Sequence, residues 1–309
     1  MSVKLIVIAG PTAVGKSAVG TELALTLNGE IISGDSVQVY KSLNIGSAKP
    51  TTAEKRGVPH HLLDELDPAE PFTAADFQTR AAACAADISA RGKVPVVVGG
   101  AGLYLRGLLD GFSFAAPGDD AAKERWAALA GRAGTEALHR ELRERDPVLA
   151  ARLHPSDKAR LIRALEVIDL TGRPLSEQRR FAEREYPPLP GVLLFGLTAP
   201  RPWLYERINE RAAAMLRGGL IEETAALLGA GYPPALKPLR SIGYRHAVAY
   251  LRGLTTEGET LRLLRRDTRH FAKRQWTWFR RDPRFIWFDV SEASVQEIAA
   301  QMKRISERV

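Results

Sequence analysis

Gly10, Pro11, Thr12, Ala13, Val14, Gly15, Lys16 and Ser17 have the types and spacing of a phosphate-binding P-loop. Glycines at these positions let successive backbone N–H groups turn inward on phosphate oxygens, and the following helix begins there with its positive dipole end. Lys16 adds a point charge, and Ser17 offers a hydroxyl to Mg²⁺. Such a loop serves a diphosphate or a triphosphate and does not by itself choose between them. A second group, Gly34, Asp35, Ser36, Val37, Gln38, Val39 and Tyr40, brings out a carboxylate, a hydroxyl and an amide just past a short apolar run. In an open α/β sheet, that carboxyl edge is where ligands sit. Asp35 has an alternative reading as a helix N-cap with Ser36.

A third group, Gly99, Gly100, Ala101, Gly102, Leu103 and Tyr104, forms a tight turn from an apolar run into a helical one. P-loop ATPases usually carry an Asp at the end of such a strand to hold Mg²⁺. Glycine here argues against nucleotide hydrolysis and for close approach of backbone to a ligand. Towards the C-terminus, nine Lys or Arg from Arg262 to Arg284 face only Asp267 and Asp282, and Phe271, Trp276, Trp278 and Phe279 are interleaved among them. Arginines among aromatics suit phosphate contacts combined with base stacking. Arg207 and Arg211, four apart, share a helical face. Lys158, Arg160 and Arg163 fall near one face beside His154 and Asp157, with a solvated charged surface as the alternative.

The elements that must position these groups follow from hydrophobic period and punctuation. Residues 4–9, 30–33, 94–98, 192–197 and 285–290 read as strands, the third continuously apolar as central parallel strands are. Helices are expected over 17–27, 73–91, 202–217, 221–228, 255–281 and 294–308, with Thr73 and Asp76 forming a capping box. Residues 41–72, with prolines at 50, 59, 68 and 71, read as a long structured loop. Its His60-His61 pair suggests a metal, but adjacent histidines point apart and no ligand cluster surrounds them, so packing or hydrogen bonding is expected. Residues 123–186 are helical throughout, broken at Gly134, Pro147, Pro155 and Gly172-Arg173-Pro174. The expected fold is α/β: a P-loop NTPase-like parallel sheet flanked by helices. Its core comprises residues 1–112 and 191–309, and residues 113–190 form an all-helical insertion.

With 309 residues and 45% apolar content the chain can bury a large core. No stretch approaches a membrane span and no signal-peptide layout opens the chain, so a cytoplasmic protein is expected. The lone Cys84 excludes an internal disulfide and a cysteine-rich zinc site, and reads as a buried thiol. A net charge of +8 and an isoelectric point near 9.7 suggest a polyanionic partner.

These groups belong to a longer series of ordered blocks. The P-loop, Ile31-Ile-Ser-Gly-Asp-Ser-Val-Gln-Val-Tyr40, Asn44-Ile-Gly-Ser-Ala-Lys-Pro50, Pro59-His-His-Leu62, Pro71-Phe-Thr-Ala-Ala-Asp-Phe77 and Gly99-Gly-Ala-Gly-Leu-Tyr104 are followed by Arg163-Ala-Leu-Glu-Val167, Thr171-Gly-Arg-Pro-Leu-Ser176 and Lys273-Arg-Gln-Trp-Thr-Trp-Phe-Arg280. In this order, over essentially the whole chain, they resemble the tRNA dimethylallyltransferase family. The resemblance implies an enzyme that uses Mg²⁺, and a monomer is expected. It would move a dimethylallyl group from dimethylallyl diphosphate to N6 of the adenine just 3′ of the anticodon, in tRNAs reading codons that begin with U.

By that resemblance Asp35 is the general base for an amine whose lone pair is delocalised into the ring. The P-loop, Lys16 and Mg²⁺ on Ser17 stabilise the leaving diphosphate, and Arg207 or Arg211 clamps it. The anticodon stem-loop falls to Asp35, Ser36, Val37 and Gln38, to Ala101, and to Lys123, Ala159, Arg160, Leu161, Ile162 and Arg163 in the insertion. Arg240, Arg245, Lys273, Arg274, Gln275, Trp276 and Arg280 complete the RNA set. Ala101 departs from the family, which usually has Thr there. The competing readings are a small-molecule kinase, a noncatalytic RNA-binding protein, and a prenyltransferase acting on free adenine nucleotides; the insertion and the basic helix favour tRNA over the last.

Overall fold

The computed structural model describes residues 5–111, 118–178, 186 and 189–308. Its elements follow the chain as β1 (Leu5–Ala9), α1 (Lys16–Thr26), β2 (Gly29–Gly34), α2 (Thr52–Lys55), β3 (His60–His61), α3 (Ala74–Ala90), β4 (Val94–Gly99) and α4 (Gly102–Asp110). Next come α5 (Asp120–Arg145), α6 (Pro147–Ala150), α7 (Lys158–Thr171) and α8 (Leu175–Gln178). The chain then returns to β5 (Val192–Thr198), α9 (Arg201–Arg217), α10 (Leu220–Gly229), α11 (Tyr244–Leu251), α12 (Glu257–Phe279), β6 (Phe285–Asp289) and α13 (Val295–Ser306). Two of these correct the expected loop over 41–72: α2, closed by a capping box from Thr51 to Glu54, and the two-residue strand β3. The helix α11 was also not foreseen.

All strands run parallel in one sheet of order β3-β2-β4-β1-β5-β6. Ile6, Ile8, Val96, Phe195 and Leu197 from the strands meet Val19 and Leu23 of α1, Leu204 and Ile208 of α9 and Ile298 and Met302 of α13 in a continuous apolar core. Strands covered on both faces carry no polar alternation, which is why β1 and β4 read as unbroken apolar runs. At the amino end of β2 the buried Glu30 accepts from Arg91 at 2.5 and 2.8 Å, from Lys93 at 2.7 Å, and meets His61 Nε2 at 2.7 Å. His60 Nδ1 lies 2.8 Å from the Val58 carbonyl. The histidine pair therefore fastens the sheet edge, as packing and hydrogen bonding predicted. Cys84 is half-buried rather than buried.

The chain divides into two compact units, Met1–Asp110 with Tyr186–Val309, and Gly111–Glu185. The second unit has its own core, with Leu138 and Leu142 of α5 packed on Leu161, Leu165 and Val167 of α7. Gly134, at φ 77° and ψ 173°, breaks α5 where a glycine break was expected. Within the first unit, the two chain ends that border the second are fastened together. The Tyr186 ring has the guanidinium of Arg106 on it at 5.2 Å and that of Arg284 also at 5.2 Å. Asp110 accepts from Arg106 Nε at 2.7 Å and from Arg284 Nη2 at 2.9 Å.

Candidate active site

The carboxyl ends of β1, β2 and β4 are adjacent, and the three glycine-bearing turns that leave them converge there. The first is the P-loop. Gly15 precedes α1 at φ 99°, a left-handed conformation that glycine adopts without strain, and Ala13 is also left-handed at φ 65°. The N-terminus of α1 has no side-chain cap and no acidic residue in its first turn. By contrast, Thr73, Asp119, Asp157, Thr256 and Ser294 cap other helices. The backbone donors of α1 are thus left for an anion from outside the chain.

Lys16 Nζ donates to the Pro11 carbonyl at 2.8 Å. Burial first, then the neighbouring Arg211 guanidinium, lower its pKa to about 7, and Asp35 works against them. Two arginines of α9 reach the same loop. Arg211 Nη1 lies 3.4 Å from Thr12 Oγ1, while Arg207 Nε donates to the Ala13 carbonyl at 3.3 Å with its guanidinium 4.8 Å over the Trp203 ring. Arg207 is exposed, whereas Arg211 is half-buried and held below the usual arginine range, first by burial, with Asp35 opposing and Arg207 contributing. Arg211 is therefore the inner of the two cations, coupled to both Lys16 and Asp35.

Asp35 follows β2 without starting a helix. Its Oδ1 accepts from the Val37 N–H at 2.8 Å and the Gln38 N–H at 3.2 Å, which makes it the cap of a turn rather than of the helix considered from sequence. Among the described residues, Oδ2 has no hydrogen-bond partner. Gln38 is occupied within the fold: Oε1 accepts from Ser33 Oγ at 3.2 Å, and Nε2 donates to the carbonyls of Ser47 at 3.1 Å and Ala48 at 3.2 Å. The loop it holds is pinned from the other side by Glu223 of α10, which accepts from the backbone of Asn44, Ile45 and Gly46 and from Tyr244 Oη at 2.6 Å. Ser17 is exposed and, with Ser33, Gln38, Pro50 and His60, lines a cavity of about 20 Å³. Among the described residues no three His, Cys, Asp or Glu side chains group to hold a metal ion.

The third turn is packed as its glycines require. A Cβ on Gly99 would stand 2.2 Å from the Gly34 carbonyl oxygen, and one on Gly102 would stand 2.3 Å from the Trp278 ring. Ala101 N–H points at the same Gly34 carbonyl at 3.4 Å. Tyr104 on α4 stacks on Phe77 with centroids 4.9 Å apart, and its buried Oη has no hydrogen-bond partner among the described residues. Burial, then Tyr40, then Asp35 raise its pKa. Sequence reasoning did not single out this phenol, although it closes the Gly99–Tyr104 block.

Of the residues expected to meet RNA, Lys273, Arg274 and Arg280 are exposed, and the Trp276 ring has the guanidinium groups of Arg280 at 4.3 Å and Arg201 at 5.7 Å from its centroid. Arg240 is exposed, and Arg245 is exposed while paired with Asp267 at 2.5 Å. In the second unit Lys123, Ala159 and Arg160 are exposed, and Arg163 pairs with Glu166 at 2.9 Å. Three expectations fail on burial. Leu161 is 0% and Ile162 9% exposed, because they are core positions of α7. Gln275 is 6% exposed, and both ends of its amide are bonded within the fold: Oε1 accepts from the Thr12 N–H at 2.7 Å and Nε2 donates to the Gly100 carbonyl at 3.0 Å.

A parallel α/β sheet, an uncapped helix behind a P-loop with Lys16 and Arg211 beside it, and the Asp35 carboxylate just past β2 define a P-loop-like α/β protein with a candidate anion site next to a candidate base. The IPP transferase family model matches residues 38–282. The chain is 60% identical over 295 residues to the tRNA dimethylallyltransferase of Desulfitobacterium hafniense, covering 95% of this chain and 94% of that one. It is also similar to the crystal structure of the tRNA isopentenylpyrophosphate transferase of Bacillus halodurans, 39% identical with a TM-score of 0.72, covering 99% and 98% of the two chains. A eukaryotic dimethylallyltransferase captured acting on tRNA matches with a TM-score of 0.79 at 28% identity, over 98% of this chain and 79% of that one. The chain belongs to the IPP transferase family.

Proposed function

We propose that this enzyme transfers the dimethylallyl group of dimethylallyl diphosphate to the N6 amine of the adenine 3′-adjacent to the anticodon of tRNA. The observation that carries the reading is one juxtaposition. Asp35, with Oδ1 fixed by the Val37 and Gln38 amides, lies within electrostatic reach of Lys16 and Arg211 at an uncapped P-loop helix. In the reaction the C1–O bond to diphosphate breaks, its electron pair leaves with the diphosphate, the N6–C1 bond forms, and the N6 proton passes to Asp35 Oδ2. Negative charge grows on the leaving group, so the α1 amides, Lys16 and Arg211 stabilise the transition state more than the ground state. Of the two arginines, Arg211 is the clamp, because it is the one coupled to Lys16 and Asp35.

A magnesium ion fits this site as a substrate-borne ion. Among the described residues lining the cavity beside α1, the Ser33 hydroxyl and the Gln38 amide are engaged within the fold and Ser17 offers an exposed hydroxyl, which suits Mg²⁺ because that ion characteristically keeps waters and substrate phosphates as its main ligands. Ser17 would hold it, and it would supply further charge neutralisation on the diphosphate. The acceptor is assigned to RNA because Lys273, Arg274 and Arg280 form an exposed basic surface on α12, and Lys123, Ala159 and Arg160 are exposed in the second unit. A monomer working in the cytoplasm is part of the same proposal. The test supplies ATP, AMP and an anticodon stem-loop RNA separately, with dimethylallyl diphosphate and Mg²⁺. The RNA alone should gain a prenyl group; prenylation of AMP or ATP, or phosphate transfer from ATP, would overturn the assignment.

A further inference from the structure

The amide of Gln275 occupies a position that neither RNA binding nor the proton transfer accounts for. It stands on the inner face of α12, in line with the buried Ala272 and Phe279, and it is 6% exposed. Its two bonds fix its orientation, since Thr12 presents an N–H and Gly100 a carbonyl, so oxygen and nitrogen cannot exchange. Gly100 has no room for a side chain because the amide fills it: a Cβ there would sit 2.2 Å from Nε2.

Each bond leads to a different part of the site. The Pro11–Thr12 peptide is held on both edges, its N–H by Gln275 Oε1 at 2.7 Å and its carbonyl by Lys16 Nζ at 2.8 Å. The plane of that peptide therefore sets where Lys16 rests and commits the Thr12 N–H to the fold rather than to phosphate. On the other arm, Gly100 lies between Gly99, packed on the Gly34 carbonyl, and Ala101, whose N–H points at that same carbonyl at 3.4 Å. Gly34 is the residue before Asp35.

We infer that Gln275 is a positioning residue: its single amide holds the P-loop and the Gly100 turn in register, fixing the diphosphate site relative to the base. It does so from the helix whose outer face carries Lys273, Arg274 and Arg280, so the element expected to grip RNA is bolted to the leaving-group site by this side chain. The inference rests on the proposed reaction for its kinetic arm and stands apart from it in its binding arm.

Two variants test it. Gln275→Leu keeps the size and removes both bonds, and Gln275→Glu keeps an acceptor for Thr12 but loses the donor to Gly100 unless it is protonated. For Gln275→Leu, calorimetry with inorganic diphosphate and Mg²⁺ should show about tenfold weaker binding, and single-turnover prenyl transfer should slow by about 10 to 100-fold, the scale of a small misplacement of reacting groups. Affinity for the stem-loop RNA should stay within about twofold, since the side chain does not reach the surface. For Gln275→Glu, the rate relative to the unmodified enzyme should recover as pH falls, because a protonated carboxyl restores the donor and the acceptor together. A merely structural loss would not track pH in that way. Weakened RNA binding with diphosphate affinity intact would overturn the inference and return Gln275 to the RNA contacts; unchanged values throughout, or a Gln275→Glu ratio flat with pH, would also overturn it. Should Gln275→Leu not fold, the pH profile of Gln275→Glu decides alone. If the unmodified enzyme binds diphosphate but prenylates no RNA, the proposed reaction fails while the diphosphate comparison still decides the role of Gln275.

Discussion

On the proposed reading, Lys16 makes diphosphate binding a proton-linked event. Its ammonium group has lost stability to burial and to Arg211, so the pKa stands at about 7 in the free enzyme. A bound diphosphate adds several negative charges beside it and restores the protonated form. Linkage fixes the direction: a group whose pKa is raised by the ligand supports binding fully below its free pKa and withdraws that support as pH rises above it. At about one pH unit above the free pKa, roughly nine-tenths of the molecules lack the proton, and binding should take up about 0.9 proton. Between about pH 7 and pH 9 the affinity should fall roughly 50-fold, near 2 kcal/mol, from this group alone. The ligand's own last ionisation runs the other way, so the comparison is made against Lys16→Arg, whose guanidinium keeps its proton throughout. Calorimetry of inorganic diphosphate with Mg²⁺, in buffers of differing ionisation enthalpy, counts the protons directly. No uptake in the unmodified enzyme at about one unit above the free pKa, or equal uptake in Lys16→Arg, would refute the argument.

Asp35→Asn keeps an oxygen for the Val37 and Gln38 amides but cannot accept a proton, so thermal stability should hold while single-turnover transfer drops by about 10² to 10⁴. Near-normal turnover in the folded variant would leave Asp35 as a turn cap. Replacing the exposed Lys273 and Arg274 together by Ala should weaken RNA binding and reduce the slope of log affinity against log salt by about 1.4, two single-strand phosphate contacts; an unchanged slope would move the RNA site off α12. Hydrogen bonds from Arg91 most of all, against the cost of burial and with help from Lys93 and His61, hold Glu30 well below the ordinary carboxylate range. Its stabilising contribution is therefore complete above the unfolded carboxyl pKa, about 4.3, and is lost as pH falls through the depressed folded value. Glu30→Gln should cost about 1 to 3 kcal/mol at neutral pH in denaturant titrations, with the gap to the unmodified protein closing in strong acid. A gap that widens in acid would show that the network is not what stabilises the sheet edge.

The parts of this fold legible in the sequence are those written in period and punctuation. Apolar runs of strand length, a Thr73-Asp76 capping box and the glycine spacing of the P-loop each depend on residues close in the chain, and each is found as expected. The strand β3 was not legible because two residues have no period; only pairing with Ile31 and Ile32 makes His60 and His61 a strand. The turn at Asp35 was ambiguous because an Asx turn and a helix cap use the same carboxylate oxygen, and they differ only in whether the next residues continue as a helix. Gln275 is a different case. Leu264, Ala272, Gln275 and Phe279 are spaced by eight, three and four, the period of one buried helical face. That signal was present and was outweighed by the basic and aromatic residues around it. Leu161 and Ile162 were likewise drawn into an RNA-binding segment by their neighbours when their own side chains belonged to a core.

The cluster of Arg106, Tyr186, Arg284 and Asp110 has an evolutionary and engineering corollary. Because Asp110 and Tyr186 share the same two arginines, the points where the chain departs for Gly111–Glu185 and comes back stand side by side. A segment whose ends already meet closes its loop whatever its length, since the entropy of closure grows only logarithmically with the residues enclosed. Lengthening, shortening or exchanging those residues changes what the enzyme can hold without asking the sheet to rearrange. The clasp makes the intervening unit a cassette, and on the proposed reading recognition of different RNA loops would diverge there while the site on the sheet stays as it is.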